Sequence, residues 1–384
     1  MLSCQRDLVH LPDGLHYLNC AYMGPLLKSV EEAGIAALHR RRDPTAITAP
    51  DFFAGADRAR ELFARLVGGE AARISIIPGA SYAMATVAKN VRLRAGQNVV
   101  VAHAQFPSNV YGWRRRCAEA GASLRAVSPP DAAEGRGREW NARLLEAIDA
   151  GTALVALGNV HWADGTRFDL ERIGERAREV GALLVIDGTQ SVGAMPFDVA
   201  AVRPDALVCA SYKWLLGPYT LGLAYYGERF DAAAPLEETW LARRGSEDFA
   251  RLVEYEDEYQ PGAARFDMAE RSSFVLMPML IAALEQVLAW GPAKLQAYCG
   301  ELTRDLIAEA RRLGYTVEDD AWRGAHLFGL RAPAGFDSTR LQAALRERRV
   351  FVSQRGDAVR VAPHLYNTPG DVAALADALR AAAG

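Results

Sequence analysis

Between residues 73 and 226, short apolar runs alternate with segments whose apolar residues recur at helical spacing. The runs 73–77, 98–102, 123–127, 153–157, 183–187, 206–210 and 221–226 predict seven strands. Several are unbroken Val, Leu, Ile and Ala, the composition of strands covered on both faces. Between them, "NVYGWRRRCAEAGA" and "DLERIGERAREVGA" have helical periodicity, and each closes on a glycine placed to cap a helix. This alternation predicts an α/β fold in which a mainly parallel seven-stranded sheet lies between helices.

Past Gly245 the pattern changes. An acidic stretch, "EYEDEYQPG", leads into helical periodicity from Arg271 to Leu313 and then into short strands and helices. The expected organisation is a large α/β domain over 15–245 and a smaller C-terminal α+β domain over 246–384, with residues 1–14 packed on the small domain. "PPDAAEGRGR" reads as an exposed loop. With 384 residues, 50% of them hydrophobic, the chain can bury two cores. A net charge of -3 provides no overall field for nucleic acid or an anionic membrane, and the arginine clusters at 40–42, 114–116 and 348–349 read as solvated faces. The five cysteines are scattered and odd in number, which suits reduced thiols and a cytoplasmic protein; no metal site is expected. "SFVLMPMLIAALEQVLAW", interrupted by Pro278, Glu285 and Gln286, reads as a buried helix and not a membrane span.

Ligands of open α/β sheets bind beyond the carboxyl ends of the strands, so the residues after each run are the candidates for chemistry. After the first run, Gly79, Ala80 and Ser81 open a helix whose free N–H groups and dipole suit a phosphate, although a serine there also serves as a plain N-cap. After the second, Phe106 sits in a loop against which a flat ligand could stack. The fifth run ends on Asp187, with Gln190 close behind, and the sixth leads into Lys213 between two aromatic residues. A buried amine is costly unless it is neutral, paired or covalently used. Lys213 follows Asp187 by 26 residues, enough for one crossover, so adjacent strands can bring both to one rim. A desolvated lysine forms an imine with an aldehyde, and a carboxylate facing a pyridine nitrogen keeps it protonated as an electron sink. Together these residues point to pyridoxal 5'-phosphate.

The ordered series "PGASYA", "FPSNVYGW", "GNVHWADG", "VIDGTQSVG", "ASYKWLLGPYTLG" and "VRVAPHLYNT" resembles the class V aminotransferase-like family of fold type I pyridoxal phosphate enzymes, which includes cysteine desulfurases, kynureninases and isopenicillin N epimerase. The resemblance implies that Lys213 is the imine-forming lysine and Asp187 the partner of the pyridine nitrogen. It places Gln190 and Asn159 near the cofactor's phenolic oxygen, Ala80 and Ser81 in the phosphate-binding turn, Ser211 and Tyr212 at a second phosphate contact, and Phe106 over the ring. His103 is a nearby polar residue rather than the stacking group. Arg355 matches the carboxylate-binding arginine of desulfurases and Arg360 that of kynureninases, and both stay candidates for the substrate carboxylate. Asn19 and Tyr22 are expected to border the substrate. A homodimer is implied too, with Ser272 or Ser273 as a cross-subunit phosphate contact in "RFDMAERSSF", a stretch that lacks the family's glycine-threonine-proline turn.

Departures from the family pattern narrow the reaction. The region after the arginines has no cysteine, and Cys299 lies in a helical pattern, so a persulfide-forming desulfurase mechanism is disfavoured. The expected activity on a small-molecule amino acid is aminotransferase-type, through a lysine Schiff base and a quinonoid; a carbon-sulfur or carbon-carbon lyase, or an epimerase, is the alternative. A dinucleotide-binding dehydrogenase would need a G-x-G-x-x-G turn that "PGASYAMATV" lacks. The lysine, aspartate and arginines speak against a non-catalytic binding module.

Overall fold

The computed structural model describes residues 2–131, 134–333 and 335–383; of the expected "PPDAAEGRGR" loop, Ala132 and Ala133 lie outside the described residues. Its strands are β1 (His16–Tyr17), β2 (Ile74–Ile77), β3 (Asn98–Ala102), β4 (Ser123–Val127), β5 (Thr152–Gly158), β6 (Leu183–Asp187), β7 (Ala206–Ala210), β8 (Gly222–Tyr226), β9 (Phe328–Arg331), β10 (Val350–Phe351), β11 (Ser353–Arg355) and β12 (Ala358–Val361). A seven-stranded sheet has the order β2-β8-β7-β6-β5-β3-β4. The strands from β7 to β4 in that order run parallel, while β8 is antiparallel to both β2 and β7. All seven expected strands are present. Arg73 falls in a short turn of 3-10 helix and not in β2.

Successive residues of each central strand serve opposite faces. Val99 and Val101 of β3 pack with Val87 of the Ala80–Asn90 helix and Trp113 of the Tyr111–Ala120 helix. Val100 and Ala102 belong to the core on the other side, with Phe63, Trp140 and Ile173. Full burial of each such Val or Leu contributes about 1.5–3 kcal/mol, which is why the runs carry no polar alternation. The capping glycines take left-handed backbone where expected, with φ 67° at Gly121.

A smaller antiparallel sheet, β11-β12-β9, packs against the Pro292–Arg312, Ser338–Glu347 and Pro369–Ala383 helices through Leu306, Leu330, Leu341 and Leu375. The periodicity between Arg271 and Leu313 is two helices, Leu276–Trp290 and Pro292–Arg312, meeting at 68°. Gly291, at φ 78°, breaks them, and Pro292 starts the second with its fixed φ and missing N–H. Met277, Leu280 and Leu284 join the core beneath the large sheet, which therefore draws on both sides of residue 246. The N-terminal segment reaches the small sheet's neighbourhood: β1 pairs in parallel with β10, and Asn19 bridges Ala362. Among the described residues no single helix is long and apolar enough to cross a membrane.

Candidate active site

Adjacent parallel strands deliver the expected chemistry to one rim. Gly158 of β5 is level with Asp187 of β6, and Asp187 with Val208 of β7, whose chain continues into the Lys213 loop. Beyond these ends lies a cleft of about 220 Å³ lined by Gly79, Ala80, Ser81, Gln105, Phe106, Trp162, Asp187, Gln190, Tyr212 and Lys213, among others.

Lys213 is only 7% exposed, and its Nζ lies 5.4 Å from the centre of the Phe106 ring and 5.5 Å from that of Tyr212. Burial lowers its pKa to about 8; Asp187 opposes that shift, while Arg360 and Arg355 reinforce it. Burial also raises the pKa of Asp187, against hydrogen bonds from Thr189 and the field of Lys213. The backbone N–H of Thr189 donates to Asp187 Oδ1 at 3.1 Å. The amine and the carboxylate are not within the 4.0 Å of an ion pair. Each is thus drawn toward neutrality across an open space. A ring bearing an aldehyde at one end and a basic nitrogen at the other fits that gap chemically: the aldehyde takes up the neutral amine, and the protonated nitrogen gives the carboxylate its missing cation.

Another part of the cleft wall suits a phosphate. At the start of the Ala80–Asn90 helix, the N–H groups of Ala80 and Ser81 have no acceptor among the described residues. Gln105 Nε2 is buried in the cleft wall without a partner, while Oε1 of the same side chain accepts from Phe106 N at 2.9 Å. That orphaned donor is a further point of fit. Three non-glycine residues with positive φ stand on the flanking loops: Ala104 at 52°, Leu216 at 53° and Thr220 at 70°. Such backbone persists only where its surroundings hold it, and it clusters at ligand sites.

Two residues expected at the cofactor are not among those that line this cleft. Ser211 does not line the cleft; its hydroxyl, 2.6 Å from Pro218 O and 2.8 Å from Leu221 O, closes the Lys213 loop on itself. Asn159 faces a neighbouring cavity with Phe168 and Phe197, its amide 3.8 Å from Met195 Sδ. Gly158 and Val160, the residues on either side of Asn159, line the cleft instead. Gln190 does line it, with its amide already tied to Ala21 O at 3.1 Å and to Trp214 Nε1 at 2.9 Å. His103 is exposed and outside the lining. Ser272 donates to Phe52 O, and Ser273 Oγ accepts from Leu276 N at 3.2 Å.

Trp162, which sequence reasoning passed over, joins the cleft to the small sheet. Its indole lies edge-on to Phe106 at 5.4 Å and donates to Ala104 O at 2.7 Å. Arg360 on β12 donates to Trp162 O at 2.8 Å, and the Arg355 guanidinium lies 5.7 Å from the centre of the indole. Arg360 is 1% exposed with Nε and one terminal nitrogen unpartnered, and burial lowers its pKa to about 10. The only sequence sign of Trp162 was its place soon after β5, in "GNVHWADG". Asn19 Oδ1 accepts from Ser353 Oγ at 2.9 Å, while Tyr22 is exposed. Gly24 N donates to Tyr212 O at 2.9 Å, and a Cβ at Gly24 would come within 2.3 Å of Lys213 O. Among the described residues no cysteine lines the cleft.

The fold, a mostly parallel sheet between helices, is that of the fold type I pyridoxal phosphate enzymes. A cysteine desulfurase from Thermococcus onnurineus NA1 shares it, with a TM-score of 0.82 over 98% of this chain and 97% of that one at 18% identity. A family model described as aminotransferase class-V matches residues 36–372, and the chain belongs to that family, whose cofactor is pyridoxal 5'-phosphate. Among its relatives, a Bacillus subtilis (strain 168) protein described as uncharacterized aminotransferase YcbU is 27% identical over 314 residues, 81% of this chain and 79% of the relative. Isopenicillin N epimerase of Streptomyces clavuligerus is 25% identical over 380 residues, 96% of this chain and 94% of the relative.

Proposed function

We propose that this protein acts on the α-amino group of an amino acid with aminotransferase-type chemistry, and that Lys213 is its covalent lysine. The observation that carries the reading is the buried amine of Lys213 facing the buried carboxyl of Asp187 across an open cleft, with no ion pair between them. When bound, pyridoxal phosphate supplies an aldehyde that links to amines and a ring that withdraws electrons from the substrate's α-carbon. Asp187 would hold the proton on the ring nitrogen. The start of the Ala80–Asn90 helix, Gln105 and Tyr212 would hold the phosphate, and Phe106 would face the ring. Lys213 Nζ, its pKa lowered by burial to about 8, would take the α-proton of the amino acid and hold it at the cleft for return. Arg360 offers its unpartnered nitrogens to the α-carboxylate. Cys20, 3.6 Å from Lys213 O, is fully buried with its pKa pushed up to about 12, so it is poorly suited to accept sulfur.

A spectroscopic screen of amino acids against the purified holoprotein tests the reading. A near-visible band absent from Lys213→Ala, converted to the pyridoxamine form with release of a keto acid, is the expected result. Side-chain products released with the band retained would replace transfer by lyase chemistry. A band that survives in Lys213→Ala would overturn the assignment of Lys213.

A further inference from the structure

We propose that Arg355 recognises a second acidic group, so that the substrate is an α-amino acid whose side chain carries a carboxylate; this rests on the function proposed above, with the α-carboxylate on Arg360. Among the described residues, neither guanidinium lies within the 4.0 Å of an ion pair with a carboxylate. The contrast with the adjoining strand is local: Arg331 of β9 pairs with Asp164, as does Arg136. β12 lies beside β9, so acids are at hand in this part of the fold, yet Arg355 and Arg360 are left without one.

One tryptophan of the cleft wall touches both cations, which themselves lie outside the lining. Arg360 is anchored on the carbonyl of Trp162 and Arg355 lies over its indole, while Trp162 itself forms part of the cleft wall. The indole holds the Arg355 guanidinium in a cation–π contact at 5.7 Å, and its one hydrogen bond among the described residues, to Gln354 O at 2.8 Å, leaves further N–H donors for a carboxylate. Charge points the same way. Among the described residues the cleft lining holds a single carboxylate, Asp187, and a single amine, Lys213, while Arg355 and Arg360 lie outside that lining, in contact with Trp162 of its wall and paired with no carboxylate. Both fields reach Lys213. One α-carboxylate answers one of them, and a side-chain carboxylate answers the other.

The test titrates the holoprotein with aspartate and glutamate and with their neutral isosteres asparagine and glutamine, following both the near-visible spectrum and steady-state kinetics. The acids should bind about tenfold or more tightly than the amides, as a charge-assisted pair predicts. Arg355→Gln should close that gap through the apparent KM rather than kcat, and Arg355→Lys should keep part of it. Equal binding of acid and amide by the unaltered protein would overturn the inference, as would an Arg355→Gln variant that weakens both alike. A Lys213-dependent band that responds to neutral amino acids without preference for acids sinks this inference alone; a holoprotein whose spectrum answers to no amino acid sinks the proposed function with it.

Discussion

Asp267 and Asp187 are both buried carboxylates near cationic side chains, and their surroundings differ in kind. Asp267 accepts from Arg60, from Arg271 at 2.9 Å and from the backbone N–H of Ile76 at 2.7 Å. Arg60 also bonds Ile74 O at 3.1 Å, and Arg271 bonds Leu241 O at 3.1 Å, leaving Arg271 Nε as the group's unmatched atom. Asp187 has hydrogen bonds from Thr189 but no cation within pairing distance, and Lys213 and Gln105, the latter with an unmatched donor, line the same cleft. Burial of charge is common to both regions. What separates them is closure: the first cluster is completed by the chain itself, whereas the second needs atoms from outside.

The largest effect that can sharpen this contrast is on activity. Lys213→Ala should lower turnover by about 10³-fold or more with no loss of stability, because it removes a buried amine that has no partner. Asp267→Asn should do the reverse, lowering unfolding free energy by about 3–5 kcal/mol in denaturant melts while the folded fraction keeps its specific activity. Comparable losses of both properties in either variant would break the distinction.

An intermediate effect is pH-dependent. In cofactor-free protein, burial lowers the Lys213 pKa from 10.5 to about 8, so between those values the unfolded chain retains a proton that the folded chain has released. Stability should therefore rise with pH across that window, by up to about 3 kcal/mol, and the gain should be lost as pH falls through about 8. Lys213→Met should lack this component in otherwise matched melts. The smallest effect belongs to Ser211→Ala, expected to cost about 1 kcal/mol of stability by opening the loop while cofactor affinity stays level. A larger loss in cofactor affinity than in stability would restore Ser211 to the phosphate site.

Continuous apolar runs made most of the sheet readable: β3, β6 and β7 begin and end at the expected residues, as does β4, whose SLRAV sequence is mixed and partly exposed. The break at Gly291 was harder to place, since apolar periodicity continues through it and only a glycine followed by a proline marks the bend. Lys213 and Asp187 stood out because a charged residue at the end of a buried run demands a reason. Gln105 and Trp162 made no such demand. An amide or an indole is unremarkable in a loop, and their importance arises from the lateral placement of β3 beside β5, which no local pattern records. Ser211 and Asn159 are the opposite case, of suitable type and position in the chain but with side chains turned elsewhere.

Residues 19 to 24 tie together parts of the chain that lie far apart in sequence. At one end Asn19 is held to Ser353 and Ala362, which flank the arginine hairpin; at the other Gly24 presses on the backbone at Tyr212 and Lys213. This short span works as a gauge block between the Lys213 loop and the hairpin that carries Arg355 and Arg360. Bulk added at position 24 would shift that spacing without touching any group that does chemistry, and the damage would register as misalignment.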